Sequence, residues 1–141
     1  MLSITLSGNI NELLSDRGET PQYHPVSVSY MKEDSSIILI SAEAKTRGHF
    51  RKLKENCIYP PVLLNFSGND TLESSIFKDQ NKLKLVMPCQ GDEYVIREWL
   101  VYQLYNLVTP VSFRSRLVRI TLDDSKSKKQ PVSFFGLLLE E

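Results

Sequence analysis

Residues 92–108, DEYVIREWLVYQLYNLV, form the one long stretch of helical character in this chain, and they constrain everything around it. Gly91 breaks the preceding segment, and the Asp92 carboxylate is placed to cap the first free amides. Thr109-Pro110 ends the helix, because proline has no amide hydrogen and turns the residue before it away from helical angles. At 3.6 residues per turn, Ile96, Leu100, Leu104 and Leu107 share one face. Val95, Trp99 and Tyr102 make a second face, and Val101, Tyr105 and Val108 a third. An apolar surface that extends so far round predicts burial, with other elements covering the helix on at least two sides.

The rest of the chain reads mainly as strands. Residues 3–6 alternate apolar and polar. Residues 9–17 predict a short helix, with Asn9 as cap, Glu12 as its capping-box partner and Gly18 to end it. Val26, Val28 and Tyr30 alternate with serines, residues 32–35 make a polar turn, and residues 37–40 run apolar. That is a β-hairpin pattern, with the second arm as the inner strand. Residues 62–66 predict a strand closed by the turn residues Ser67, Gly68, Asn69 and Asp70, and residues 82–87 another, ended by Pro88. Residues 113–122 and 132–139 predict an antiparallel hairpin joined by a lysine-rich loop. The fold class is therefore α+β: a mainly antiparallel sheet of roughly five to seven strands packed on one buried long helix. At 141 residues this is one domain, 1–141, with one core. The strand at 132–139 stays core-like almost to Glu141, so a further segment is expected to follow and make this the N-terminal part of a longer protein.

Seventeen basic and seventeen acidic residues cancel, so no global field selects nucleic acid or an anionic surface as partner. Any anion site must be local. No apolar run approaches the roughly 18 residues of a membrane span, and Met1-Leu2-Ser3 lacks the charged start of a signal peptide. The densest cationic stretch is residues 45–61, with Lys45, Arg47, Arg51, Lys52 and Lys54 beside His49. Gly48 next to Arg47 lets backbone amides and a guanidinium converge on a phosphate or carboxylate. The alternative is a solvated loop whose arginine pairs with an acid at the strand edge.

Within the helix, Arg97, Glu98, Gln103 and Asn106 interrupt the apolar surface and each needs a partner; Lys82 and Lys84 are the nearest cations for Glu98. Arg114 and Arg116 lie on one face of their strand and Arg119 on the other, so they form no nucleic-acid stripe. Several readings of Cys57 and Cys89 stay open. They fit two core thiols, or a disulfide in an oxidising compartment. A zinc set with His24 and His49 lacks the close paired spacing of zinc motifs, and nothing marks either cysteine as an activated nucleophile.

Four segments in order, RGHFRKLKENCIYPPVLLNF, NKLKLVMPC, EYVIREWLVYQLYNLVTPVSFRSRLVRITL and FFGLLLEE, resemble a widespread group of uncharacterised bacterial proteins over residues 45–141. That group in turn resembles the spore-coat-protein-H (CotH) kinases, which share an Arg-Gly turn, a Pro-led strand, a helix opening Ile-Arg, a Pro-Ser strand start and a Gly-bearing last strand. The resemblance implies the amino-terminal lobe of an atypical protein-kinase fold, not catalytic alone, with the catalytic and metal-binding aspartates in a following C-terminal lobe. It implies ATP with Mg²⁺ as ligand, Lys84 paired to Glu98 as a strand lysine pairs to a helix glutamate in kinases generally, and Arg47 facing a nucleotide phosphate. Where CotH proteins carry Pro-Lys-Lys, this chain has Pro60-Pro61-Val62, so the phosphate-contacting lysine is missing from the matching place. Such relatives are often exported or periplasmic, which favours the disulfide. The alternative expectation is a non-catalytic binding or structural module that holds a partner through its hairpins or the Arg47 loop.

Overall fold

Period-two alternation decides the architecture. In the computed structural model, which describes residues 1–67 and 70–141, the order of elements is β1 (Leu2–Gly8), α1 (Ile10–Ser15), β2 (His24–Met31), β3 (Ile37–Thr46) and β4 (Val62–Asn65). There follow a 3₁₀ turn (Asp70–Ser74), β5 (Lys82–Val86), α2 (Asp92–Val108), β6 (Ser115–Asp124) and β7 (Val132–Glu140). Each strand sends alternate side chains into one shared interior: Ile4 and Leu6 from β1, Val28 and Tyr30 from β2, Ile40 and Ala44 from β3, Val62 and Leu64 from β4, Leu83 and Leu85 from β5. Val118, Ile120 and Leu122 of β6 and Phe134 and Leu138 of β7 complete it.

The strands close on themselves in the order β1-β2-β3-β4-β5-β7-β6. Closure is made by a parallel pairing of β1 with β6, from Leu2 opposite Val118 to Gly8 opposite Asp124; the other pairings are antiparallel. Gly136 sits where β7 crosses this interior. A Cβ there would lie 3.1 Å from Ile120 Cγ2 and 3.4 Å from the Val86 carbonyl, so a side chain would crowd both neighbours. At one end of the barrel Phe66 stacks on Phe77 at 5.1 Å and Tyr30 meets Phe77 edge-on at 5.9 Å. The Tyr30 hydroxyl accepts a hydrogen bond from the Ile76 amide at 3.0 Å. α1 follows β1 at the other end, with Ile10 and Leu13 buried.

This corrects the expected fold class. The sheet is not an open layer packed on a buried helix, and a kinase amino-terminal lobe is overturned with it, because the strands form a closed seven-stranded barrel. The interior is filled by the strands' own side chains, so α2 lies outside. There it meets the outward positions of three strands: Val86 of β5, Leu117 of β6, and Phe135, Leu137 and Leu139 of β7 form a second small core with Val95, Trp99 and Tyr102. β7 is thus apolar on both faces, which explains its unbroken apolar run. Only one of the three apolar faces of α2 is covered, and Val95 is its one fully buried residue. Leu107 and Val108 are each 84% exposed.

Smaller corrections are local. The residue before α2 is Gly91, at φ +129°, and the Asp92 carboxylate instead accepts from the Phe135 amide at 3.3 Å, tying the helix start to β7. Asn9 makes no side-chain cap, since its amide is taken by the Glu12 carboxylate. α1 ends at Ser15, ahead of Gly18, with the Asp16 amide reaching back to the Glu12 and Leu13 carbonyls. Ile37 and Leu39 point outward, so the start of β3 is not an inner strand. Of the predicted turn after β4, Ser67 donates its amide to Asn65 Oδ1 at 3.2 Å, while Gly68 and Asn69 lie outside the described residues.

Candidate functional site

β3 runs out at Thr46, and Gly48, at φ +86°, turns the chain into a loop without strands that returns at Pro61. Its first residue is anchored by the Arg47 amide, which donates to the Pro61 carbonyl at 2.9 Å. The far end is anchored three ways. Cys57 is disulfide-bonded to Cys89, Lys52 Nζ donates to the Gly18 carbonyl at 2.7 Å, and Arg17 donates to the carbonyls of Cys57 at 2.8 Å and Ile58. Arg17 also donates to its own helix, at Leu14, so one guanidinium staples the end of α1 to the loop.

Asp16, the neighbour of Arg17, braces the same corner. Its carbonyl accepts from the Thr46 hydroxyl, and its carboxylate accepts from the Gln22 amide and pairs with His24 Nε2, both at 2.9 Å. The hydrogen bond from His24, and then that from the Gln22 amide, hold the Asp16 carboxyl below its ordinary value of 3.8. A lowered folded-state pKa contributes stability that is full above the unfolded value and is lost as pH falls through the folded one. The stability difference between the wild type and Asp16→Asn is therefore expected to be constant near neutral pH and to shrink below about pH 4 in urea titrations. A difference independent of pH down to acid unfolding contradicts the pairing.

The anchored loop forms one wall of an open cleft of about 510 Å³. Pro61, Lys84, Val86 and Leu139 line its floor, and Glu98 and Tyr102 of α2, with Phe113, its other wall. Arg47, Lys84 and Glu98, the three residues singled out from the sequence, all reach this one cleft. Their pairing differs from expectation. Both Nη atoms of Arg51 lie 3.1 Å from one Glu98 oxygen, so Glu98 is satisfied by the loop arginine and not by Lys84. The Lys84 ammonium sits instead over the Phe113 ring, 5.1 Å from its centroid. Among the described residues neither Lys84 nor Arg47 has a carboxylate within ion-pair distance, and both are half-buried.

No known protein family, curated protein or solved structure matches the chain. What the cleft can do follows from its own charges. Arg47, Arg51 and Lys84 face Glu98 and Glu140; the Arg51–Glu98 pair cancels, and Glu140 leans toward Arg114, 3.9 Å from its Nε. Arg47 and Lys84 are left without a carboxylate partner among the described residues. Burial, and then the Glu98 carboxylate, push the Tyr102 phenol above its ordinary value, so at neutral pH it is a hydrogen-bond donor in the cleft wall.

Of the other helix polar groups, Arg97 meets Glu93 at 3.7 Å on the surface, Gln103 donates to Ser115 Oγ at 3.1 Å, and Asn106 is exposed to solvent. The cysteines are joined, which takes both out of any zinc or nucleophile reading. Arg17 had no signal in the sequence, since its acceptors are backbone carbonyls up to 41 residues away. Tyr102 and Phe113 read as ordinary apolar positions, because only the packing of α2 against β7 turns them toward the loop. No helix among the described residues is long and apolar enough to cross a membrane.

Proposed function

We propose that this domain is a non-catalytic binding module whose cleft receives the phosphate groups of a nucleotide or a similar phosphorylated ligand. The observation that carries the reading is the pair of half-buried cations, Arg47 and Lys84, that line one cleft without a carboxylate partner. Holding two uncompensated charges partly out of water is unfavourable unless an anion joins them. Arg47 offers a forked, two-point contact and Lys84 a point charge, with the Tyr102 phenol as a neutral donor between cleft wall and ligand. Phe113, already under Lys84, and the exposed Phe50 supply apolar surface for a ring.

The residues fit the phosphates of ATP. Among the described residues no group of three His, Cys, Asp or Glu side chains converges, and Glu98 is committed to Arg51. Mg²⁺ would be carried by the nucleotide's own oxygens. The expected ligand is thus kept while the expected kinase lobe is not. The disulfide suits an oxidising compartment, in keeping with an exported protein.

Isothermal titration with ATP tests this. Arg47→Ala and Lys84→Ala are each expected to weaken binding by roughly tenfold or more, the usual cost of losing a hydrogen bond to a charged group, with Lys128→Ala in the distant β6–β7 loop neutral. No heat at millimolar ATP, or equal affinity in all variants, rules the reading out.

A further inference from the structure

The covered side of α2 is narrow. Its opposite side, Leu100, Val101, Leu104, Tyr105, Leu107 and Val108, is between 49% and 84% exposed and spans roughly 160° of arc at 3.6 residues per turn. These six side chains present on the order of 600 Å² of largely apolar surface, at the upper end of what a monomer usually shows. We propose that this face is the interface of a homodimer in which α2 of one copy packs against α2 of a second. The proposal is separate from the cleft and does not depend on it.

Charge selects the occupant. Residues 99–113 contain no Asp, Glu, Lys or Arg, and the charged residues of α2 are three acids, Asp92, Glu93 and Glu98, against the single Arg97. The one basic side chain of α2, Arg97, lies a turn before Leu100 and Val101 and is paired with Glu93 at 3.7 Å, so the helix offers an anionic membrane or a nucleic acid no unpaired cation to settle on. A second copy meets the same uncharged stripe without setting like charges opposite each other, which is what a two-fold, self-complementary interface requires. An antiparallel crossing also sets the positive end of one helix dipole beside the negative end of the other. Two such faces together offer at most about 1,200 Å² for burial, the lower limit of a specific, stable interface, which fits a dimer that dissociates on dilution.

Sedimentation velocity on the full chain, from micromolar to sub-millimolar, reads this directly. The expected result is a species of twice the chain mass that dissociates on dilution. Leu104→Glu and Leu107→Lys should each weaken association at least tenfold while leaving the far-UV spectrum and melting curve of the folded barrel in place. Leu107 is the safeguard against misfolding, since its side chain is 84% exposed in the single copy. Ile37→Glu, at an apolar position on β3 that is 68% exposed, should leave association unchanged. A wild type that stays at single-chain mass throughout overturns the proposal, as does a dimer that survives both α2 substitutions. Flotation of the single chain with neutral lipid vesicles, lost in Leu107→Lys, also overturns it and assigns the face to a membrane.

Discussion

Replacing both Cys57 and Cys89 by serine is expected to lower the unfolding free energy by roughly 3 kcal/mol and the melting temperature by about 10 °C. The bond joins residues 32 apart in sequence, and without it the unfolded chain gains the entropy of that open loop. The folded state is affected as well. The loop from Gly48 to Cys57 belongs to no strand, and the other anchors of its far end among the described residues are the Arg17 and Lys52 contacts to carbonyls. It also carries Arg51, the partner of Glu98. Loosening it disperses the cleft wall, so the affinity for ATP should fall together with the stability. Thermal melts with and without a thiol reductant, compared with the double serine variant, check both parts. An unchanged melting temperature in the double variant contradicts the account of the loop.

Phe66→Ala is expected to cost about 3–5 kcal/mol, as removal of a large buried aromatic ring does, whereas Leu107→Ala should change stability by about 0.5 kcal/mol or less in the single chain. Phe66 is fully buried, stacked on Phe77 where the segment after the 3₁₀ turn covers one end of the barrel. Its loss opens a void lined by Tyr30, Phe77 and the inward strand residues, which cannot collapse without moving strands that are paired on both sides. Leu107 sits in what the sequence presents as the most hydrophobic helix of the protein and touches almost nothing. Urea denaturation of the two variants separates the cases. A large loss in Leu107→Ala at a concentration where the protein is monomeric would mean that α2 is a core helix after all.

That contrast shows which parts of the structure are written locally. Alternation or a short apolar run located a strand in every region where one forms, and the signals of Gly91 and Thr109-Pro110 set α2 at Asp92–Val108, as observed. Closure had no such signal. β1 and β6 are paired although more than a hundred residues separate Leu2 from Val118, and a parallel pairing leaves no turn motif to announce it. Apolar character all round α2 indicates a need for cover without saying what supplies it, and the strands, having filled their own interior, cover one face alone. The site was partly readable for the same reason. Arg47, Lys84 and Glu98 stood out as charges in apolar or glycine-bearing surroundings, and they do share a cleft. The pairing of Glu98 depends on where the Gly48 to Cys57 loop is pinned, and the pins are a disulfide and an arginine that bonds backbone carbonyls, neither of which leaves a pattern of residue types.

The central claim is that the cleft between this loop and α2 takes a phosphate group. Titrating inorganic phosphate, then ATP, into the isotopically labelled protein and following its backbone amide and arginine side-chain resonances tests it most directly. The account predicts shifts confined to Arg47, Gly48 and Arg51, to Lys84 and to Tyr102 and Phe113, larger for ATP than for phosphate and lost in Arg47→Ala. Shifts centred on the β6–β7 loop, or none at millimolar ligand, would contradict it.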